Sequence, residues 1–100
     1  MSEQKLAEVK ANRYRFFFDA DAGTLTITNQ RLHFEAVGFG NIHREPEDIL
    51  LADIVSVTPF NVSLIVPNGI KIRTRAGKEY QYAINKRQPV IDLITSLLPT

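Results

Sequence analysis

Thr24-Leu25-Thr26-Ile27-Thr28-Asn29-Gln30-Arg31-Leu32-His33-Phe34-Glu35 alternates apolar and polar residues, breaks at Asn29-Gln30, and alternates again. A period of two marks a strand with one buried face. Pairing Thr28 with Arg31 across a two-residue turn sets Ile27 opposite Leu32 and Leu25 opposite Phe34. Four apolar side chains then share one face, and Thr26 and His33 share the other. A one-residue slip breaks this match, so the register is strongly specified. Asn29 suits the positive φ that such a turn uses, and Gln30 suits it less. Arg31 and His33 fall on the wet face and read as solvent-facing strand residues. The hairpin is architectural, with the polar side chains of its turn tying down backbone groups.

Working towards the N-terminus, residues 14–18 (Tyr-Arg-Phe-Phe-Phe) read as a strand buried on much of both faces. Residues 19–23 read as its turn into the hairpin, with Gly23 as punctuation. Residues 1–10 are expected as a flexible or loosely packed arm. Beyond the hairpin, periodicity is lost through residues 38–46, the longest loop. Ile49-Leu50-Leu51 and Ile54-Val55-Ser56-Val57 read as short strands joined at Ala52-Asp53. Residues 60–66 read as a further extended piece, and Pro67-Asn68-Gly69 as a turn.

A second hairpin follows. A three-residue turn, Arg75-Ala76-Gly77, pairs Ile72 with Tyr80, Ile70 with Tyr82 and Arg73 with Glu79. It places Gly77 where a positive φ is needed, which glycine meets without a Cβ penalty. From Gln88, the residues Val90, Ile94, Leu97 and Leu98 follow helical spacing, with Ile91 widening the stripe and Pro89 in the first turn. A helix this short is not stable alone, so its apolar stripe must dock on the sheet.

One hundred residues form one domain, 1–100, with ordinary globular composition: 44% hydrophobic and 23% charged. Twelve bases against eleven acids give a net charge of +1, which supplies no bulk attraction to nucleic acid. There is no cysteine, so disulfides and thiolate metal sites are excluded. Two histidines, His33 and His43, are a poor basis for zinc. The polar N-terminus lacks a signal-peptide core, and no apolar run reaches the ~20 residues of a membrane span. Ser2 rules out an N-myristoyl glycine, and no prenylation cysteine is present. The expected location is the cytoplasm, with peripheral membrane attachment as its extension.

Several motifs stand in a telling order. They are Gly23-x-Leu25-x-Ile27-Thr28-Asn29-x-Arg31-Leu32-x-Phe34, then Ile49-x-Leu51-x-Asp53-Ile54-x-x-Val57, then Val66-Pro67-Asn68-Gly69-Ile70-x-Ile72-x-Thr74, then Gly77-Lys78-Glu79-Tyr80, and Arg87 before the helix. With them the chain resembles the GRAM domain, a member of the pleckstrin-homology-like superfold, in its small stand-alone bacterial form. The resemblance implies a mainly β (α+β) fold: about seven antiparallel strands in two near-orthogonal sheets, a barrel-like arrangement capped by one C-terminal helix. It implies a binding module and not an enzyme, with no cofactor. Its ligand classes are anionic membrane lipid headgroups and protein partners, a homodimer included.

Many pleckstrin-homology domains that bind phosphoinositides carry bases after strand one and on strand two. Here that place holds Asp19 and Asp21, which would repel an anion. The alternative basic surface is Lys71, Arg73, Arg75 and Lys78, with Lys86 and Arg87 near the helix start. Phe39 and Phe60 are candidates for insertion into lipid or a partner. The long loop and the strand edges would serve a protein-interaction or self-association module instead. Asp19 with Asp21, or His43 with Glu45 and Asp48, could be drawn as acid–base sets. No nucleophile, phosphate loop or metal set accompanies them.

Overall fold

The computed structural model describes residues 2–16, 19–36, 46–60 and 68–98, with backbone alone at 14–16 and 19–21. Seven strands precede one helix: β1 (Lys5–Phe16), β2 (Asp19–Thr28), β3 (Arg31–Ala36), β4 (Glu47–Leu50), β5 (Ile54–Phe60), β6 (Gly69–Thr74), β7 (Glu79–Ala83) and α1 (Arg87–Leu97). A 3₁₀ turn, Leu51–Asp53, joins β4 to β5. All pairings are antiparallel, in the order β4-β3-β2-β1-β7-β6-β5. The expected seven antiparallel strands and C-terminal helix are present, while the loop read at residues 38–46 and the extended piece read at 60–66 lie, but for residues 46 and 60, outside the described residues. The hydrogen bonding does not divide them into two sheets: β1 bonds to β2 along its length and to β7 at residues 12–14, joining both halves.

Both hairpins adopt the register read from alternation. Leu25 faces Phe34 and Ile27 faces Leu32. Ile70 faces Tyr82, Ile72 faces Tyr80 and Arg73 faces Glu79. Gly77 has a φ of 85°, the left-handed conformation that the three-residue turn requires. The first turn is built otherwise than expected, for Asn29 does not adopt a positive φ. Thr28 Oγ1 instead accepts from the backbone N–H of Gln30 (3.1 Å) and of Arg31 (3.0 Å). The hydroxyl thus closes the turn from its first residue, as Ser and Thr commonly do.

Two readings near the N-terminus are corrected. The expected arm is a strand from Lys5, and Asp19–Gly23 is part of β2, not a turn. Small and acidic residues there have weak strand propensity, but pairing between two long neighbours overrides it. Val9 meets Leu25, and Ala11 meets Gly23. Residues 2–4 are held as well. Gln4 N–H donates to Asn29 Oδ1 at 2.9 Å, and Asn29 N–H donates to the Gln4 carbonyl at 3.1 Å.

The inward rows of the strands form one core, including Leu25, Ile27, Leu32, Phe34, Ile49, Ile54, Ile70, Ile72 and Tyr82. α1 closes it with Val90, Ile91 and Ile94, packing chiefly on β5. Its apolar stripe is the one read from spacing, and it starts at Arg87, one residue earlier than expected.

Candidate functional site

Strand parity disperses the six basic residues expected to meet an anion. Lys71, Arg73, Glu79 and Gln81 alternate with the core residues of β6 and β7 and so share the outer face. Arg73 Nη2 donates to Glu79 Oε2 at 2.5 Å. That bond holds the Glu79 carboxyl below its usual range and commits Arg73 to its cross-strand neighbour. The Lys71 ammonium lies 5.7 Å from the Phe60 ring centroid.

Arg75 and Lys78 flank the exposed turn. Arg75 is anchored by Nε donating to the Ala52 carbonyl (2.9 Å) and by its N–H donating to the Asp53 carbonyl (2.8 Å). The Lys78 ammonium stands 4.8 Å from the Tyr80 centroid. Together they line an open cleft of about 440 Å³ with Leu50, Asp48 and Asp53. Leu50 is 53% exposed. Asp48 is occupied by Arg31 Nη1 (2.9 Å) and by His33 Nδ1 (2.7 Å).

Lys86 and Arg87 lie at the other end of β6, roughly 17 Å away at strand rise. Arg87 Nη1 donates to the carbonyls of Phe60 (2.9 Å) and Gly69 (3.4 Å), fastening α1 to β5 and β6. Lys86 is exposed at the head of α1. The Phe60 ring is half-buried over Gly69, where a Cβ would come within 2.6 Å of it. Phe60 is thus a cover for the outer face of β6. Phe39, His43 and Glu45 lie outside the described residues, as do the side chains of Asp19 and Asp21.

Arg31 and His33 do lie on the wet face, but inside an ion-pair network. Arg31 Nε donates to Glu3 at 2.8 Å, and Thr28 Oγ1 donates to the same carboxylate oxygen. The Arg31 bond, seconded by Thr28, keeps the Glu3 carboxyl below its ordinary range. Among the described residues no group of three His, Cys, Asp or Glu side chains is placed to hold a metal.

Sequence reasoning missed a buried polar cluster. Arg13 is 6% exposed, with its guanidinium 4.9 Å from the Phe34 centroid and 4.0 Å from Glu47 Oε2. The Tyr82 hydroxyl donates to Glu47 Oε1. Burial, reinforced by the Glu47 charge, pushes the Tyr82 hydroxyl above its usual pKa. An unfolded tyrosine loses its proton near pH ~10. Above that pH the unfolded chain binds fewer protons than the folded one. Stability is therefore complete below the unfolded pKa and falls as pH rises beyond it, by about 1.4 kcal/mol per unit. Denaturant titrations at successive alkaline pH values are expected to show this slope, and Tyr82→Phe is expected to remove that increment.

A second cleft, of about 310 Å³, lies beside the stretch of β1 that pairs with both β2 and β7. Lys10, Asn12, Thr24, Asn68 and Asn85 supply its polar lining.

A seven-stranded antiparallel sheet followed by one C-terminal helix is also the arrangement of pleckstrin-homology-like solved structures, which this chain resembles in fold. The C-terminal domain of an unknown protein from Leishmania infantum superposes with a TM-score of 0.80 at 16% identity, covering 95% of this chain and 84% of that one. The Slm1 PH domain in complex with inositol-4-phosphate gives 0.69 at 13% identity, covering 95% and 98%. The same domain in complex with phosphoserine gives 0.65 at 12%, covering 94% and 92%. No protein-family model and no curated protein matches the chain. No described helix is long and apolar enough to cross a membrane.

Proposed function

We propose that this chain is a non-catalytic GRAM-type binding module that associates with anionic membrane headgroups through the β6–β7 hairpin. The observation that carries this reading is the pairing of Arg75 and Lys78 with exposed Leu50 in one open cleft. Two cations beside an apolar side chain suit an anionic lipid surface, where each base contributes about 1 kcal/mol. Asp48 opposes an anion less than its charge implies, because Arg31 and His33 hold it. Lys71 extends the surface along the outer face, whereas Arg73 and Arg87 serve internal partners. The fold likeness to a domain solved with inositol-4-phosphate and with phosphoserine adds weight to a phosphate-bearing ligand. The two-sheet barrel, the peripheral cytoplasmic location and the absence of catalysis belong to the same reading.

Co-sedimentation with neutral and anionic vesicles at two salt concentrations tests it. Binding is expected for anionic vesicles only and is expected to weaken with salt. The double variant R75E/K78E, altered at exposed positions, is expected to lose roughly thirtyfold or more in affinity. Unchanged binding by that variant discards the hairpin as the contact. The second reading, self-association, draws on exposed Leu50 and Val55 at the two edge strands. Its mark is a solution mass that rises with protein concentration and no vesicle binding.

A further inference from the structure

His33 stands in an outer-face row that leads to the hairpin cleft. Cross-strand pairing sets Glu8 opposite Thr26, Thr26 opposite His33 and His33 opposite Asp48. Asp48 in turn lines the cleft with Leu50, Arg75 and Lys78. The imidazole is held between two carboxylates. Its Nδ1 lies 2.7 Å from Asp48 Oδ1, and its Nε2 lies 3.9 Å from Glu35 Oε2. A neutral ring that donates from Nδ1 to Asp48 has Nε2 as its unprotonated nitrogen. The next proton therefore arrives at Nε2, facing Glu35.

The charges around this ring do not balance. On β3, Arg31 and Glu35 flank His33, and from β4 Asp48 faces it, whereas β2 sets only Thr26 and Thr24 opposite His33 and Glu35. Arg31 Nη1 donates to the same Asp48 oxygen at 2.9 Å. Its Nε and Nη2 donate to Glu3 at 2.8 and 3.2 Å. One guanidinium thus serves two carboxylates, and Glu35 adds a third. With a neutral imidazole, this wall of the cleft keeps negative charge beside Arg75 and Lys78. A proton on His33 removes one unit of it. Imidazole is the side chain whose ordinary change of charge falls between about pH 5 and pH 8.

We propose that His33 gates the hairpin cleft by pH: its protonation offsets the charges of Asp48 and Glu35 and so strengthens the hold of Arg75 and Lys78 on an anionic membrane in mildly acidic surroundings. The inference rests on the membrane reading of that cleft and adds a regulator one strand removed from the contact. Linkage makes the effect reciprocal, so attachment at intermediate pH takes up a proton at Nε2.

Co-sedimentation with phosphatidylglycerol vesicles, whose phosphodiester stays charged throughout, tests the gate between pH ~7.5 and pH ~5.5 at fixed ionic strength. Wild-type affinity is expected to rise roughly threefold to fivefold as pH falls, the effect of about one added cation near the surface. His33→Gln can still bond to Asp48 but carries no charge, and is expected to bind throughout as the wild type does at the upper pH. His33→Lys is expected to bind at the upper pH as the wild type does at the lower. His43→Gln, altered at the other histidine of the chain, is expected to keep the wild-type profile. Calorimetry in two buffers of different ionisation enthalpy is expected to show proton uptake on attachment by the wild type and none by His33→Gln. A flat wild-type profile, a response retained in His33→Gln, or one lost in His43→Gln overturns the gate and leaves the membrane reading standing. No vesicle binding at any pH overturns both.

Discussion

Replacing Glu47 with alanine is expected to lower the unfolding free energy by about 2–4 kcal/mol, read as a shift in denaturant midpoint. The carboxylate accepts from the Tyr82 hydroxyl and faces the buried Arg13 guanidinium. Its removal takes the acceptor from the Tyr82 hydroxyl and one carboxylate from beside the buried Arg13 guanidinium. Weakening a buried ion pair is costly, whereas replacing a whole buried pair by apolar groups is often nearly neutral. The double variant Glu47→Ala with Arg13→Met is therefore expected to be less destabilised than the sum of its parts. Glu47→Gln keeps an acceptor for Tyr82 and should fall between wild type and alanine. Additive effects of the two single changes would show that Arg13 and Glu47 act independently.

Gly23→Ala is expected to destabilise the domain by about 2 kcal/mol or more. A Cβ there would lie 2.3 Å from the Glu35 carbonyl oxygen, 2.7 Å from the Phe34 ring and 2.9 Å from the Ala36 Cα. Two of these neighbours are backbone of β3, paired with β2 at this point, so they cannot swing aside as a flexible side chain would. The entropy gained by replacing a glycine, roughly 0.5–1 kcal/mol, offsets only part of this. The neighbouring Ala22→Val, at an exposed position, should change stability by less than about 0.5 kcal/mol. Equal effects at the two positions would refute the close-approach explanation.

Gly23 shows where reading the sequence stopped short. In the chain it looks like punctuation after Asp19 and Asp21. In the fold it lies inside a strand, where β2 and β3 approach too closely for a side chain. Arg13 left a clearer trace. It has the parity of Val9 and Ala11, both inward, and Glu47 has the parity of Ile49. Extending the alternation back through residues 7–13 would have placed a charge on the inner row and prompted a search for its partner. The basic residues of the hairpin were assigned to the correct strands. Their separation into a Glu79-bound Arg73, a structural Arg87, an Arg75 tied by Nε to the Ala52 carbonyl and an exposed Lys78 needed the acceptors: Glu79, the Phe60 and Gly69 carbonyls, and the Ala52 carbonyl. The cleft at Lys10 left no periodic signal, because its walls come from three strands and two loop asparagines.

By itself the sequence determined the registers of both hairpins, the glycine-dependent second turn and the apolar stripe of α1. Each is encoded within about a dozen residues, where side-chain parity and helical spacing leave one arrangement that buries the apolar set. Tertiary structure decided the strand order, the strand at residues 5–10, the burial of Arg13 and the partners of Arg31, Asp48, Arg75 and Arg87. These depend on segments far apart in the chain: Asn29 on Gln4, Tyr82 on Glu47, β1 on β7. No local period records such pairings. They form only once the core has brought the strands together, and they persist because a polar group enclosed there must find a partner.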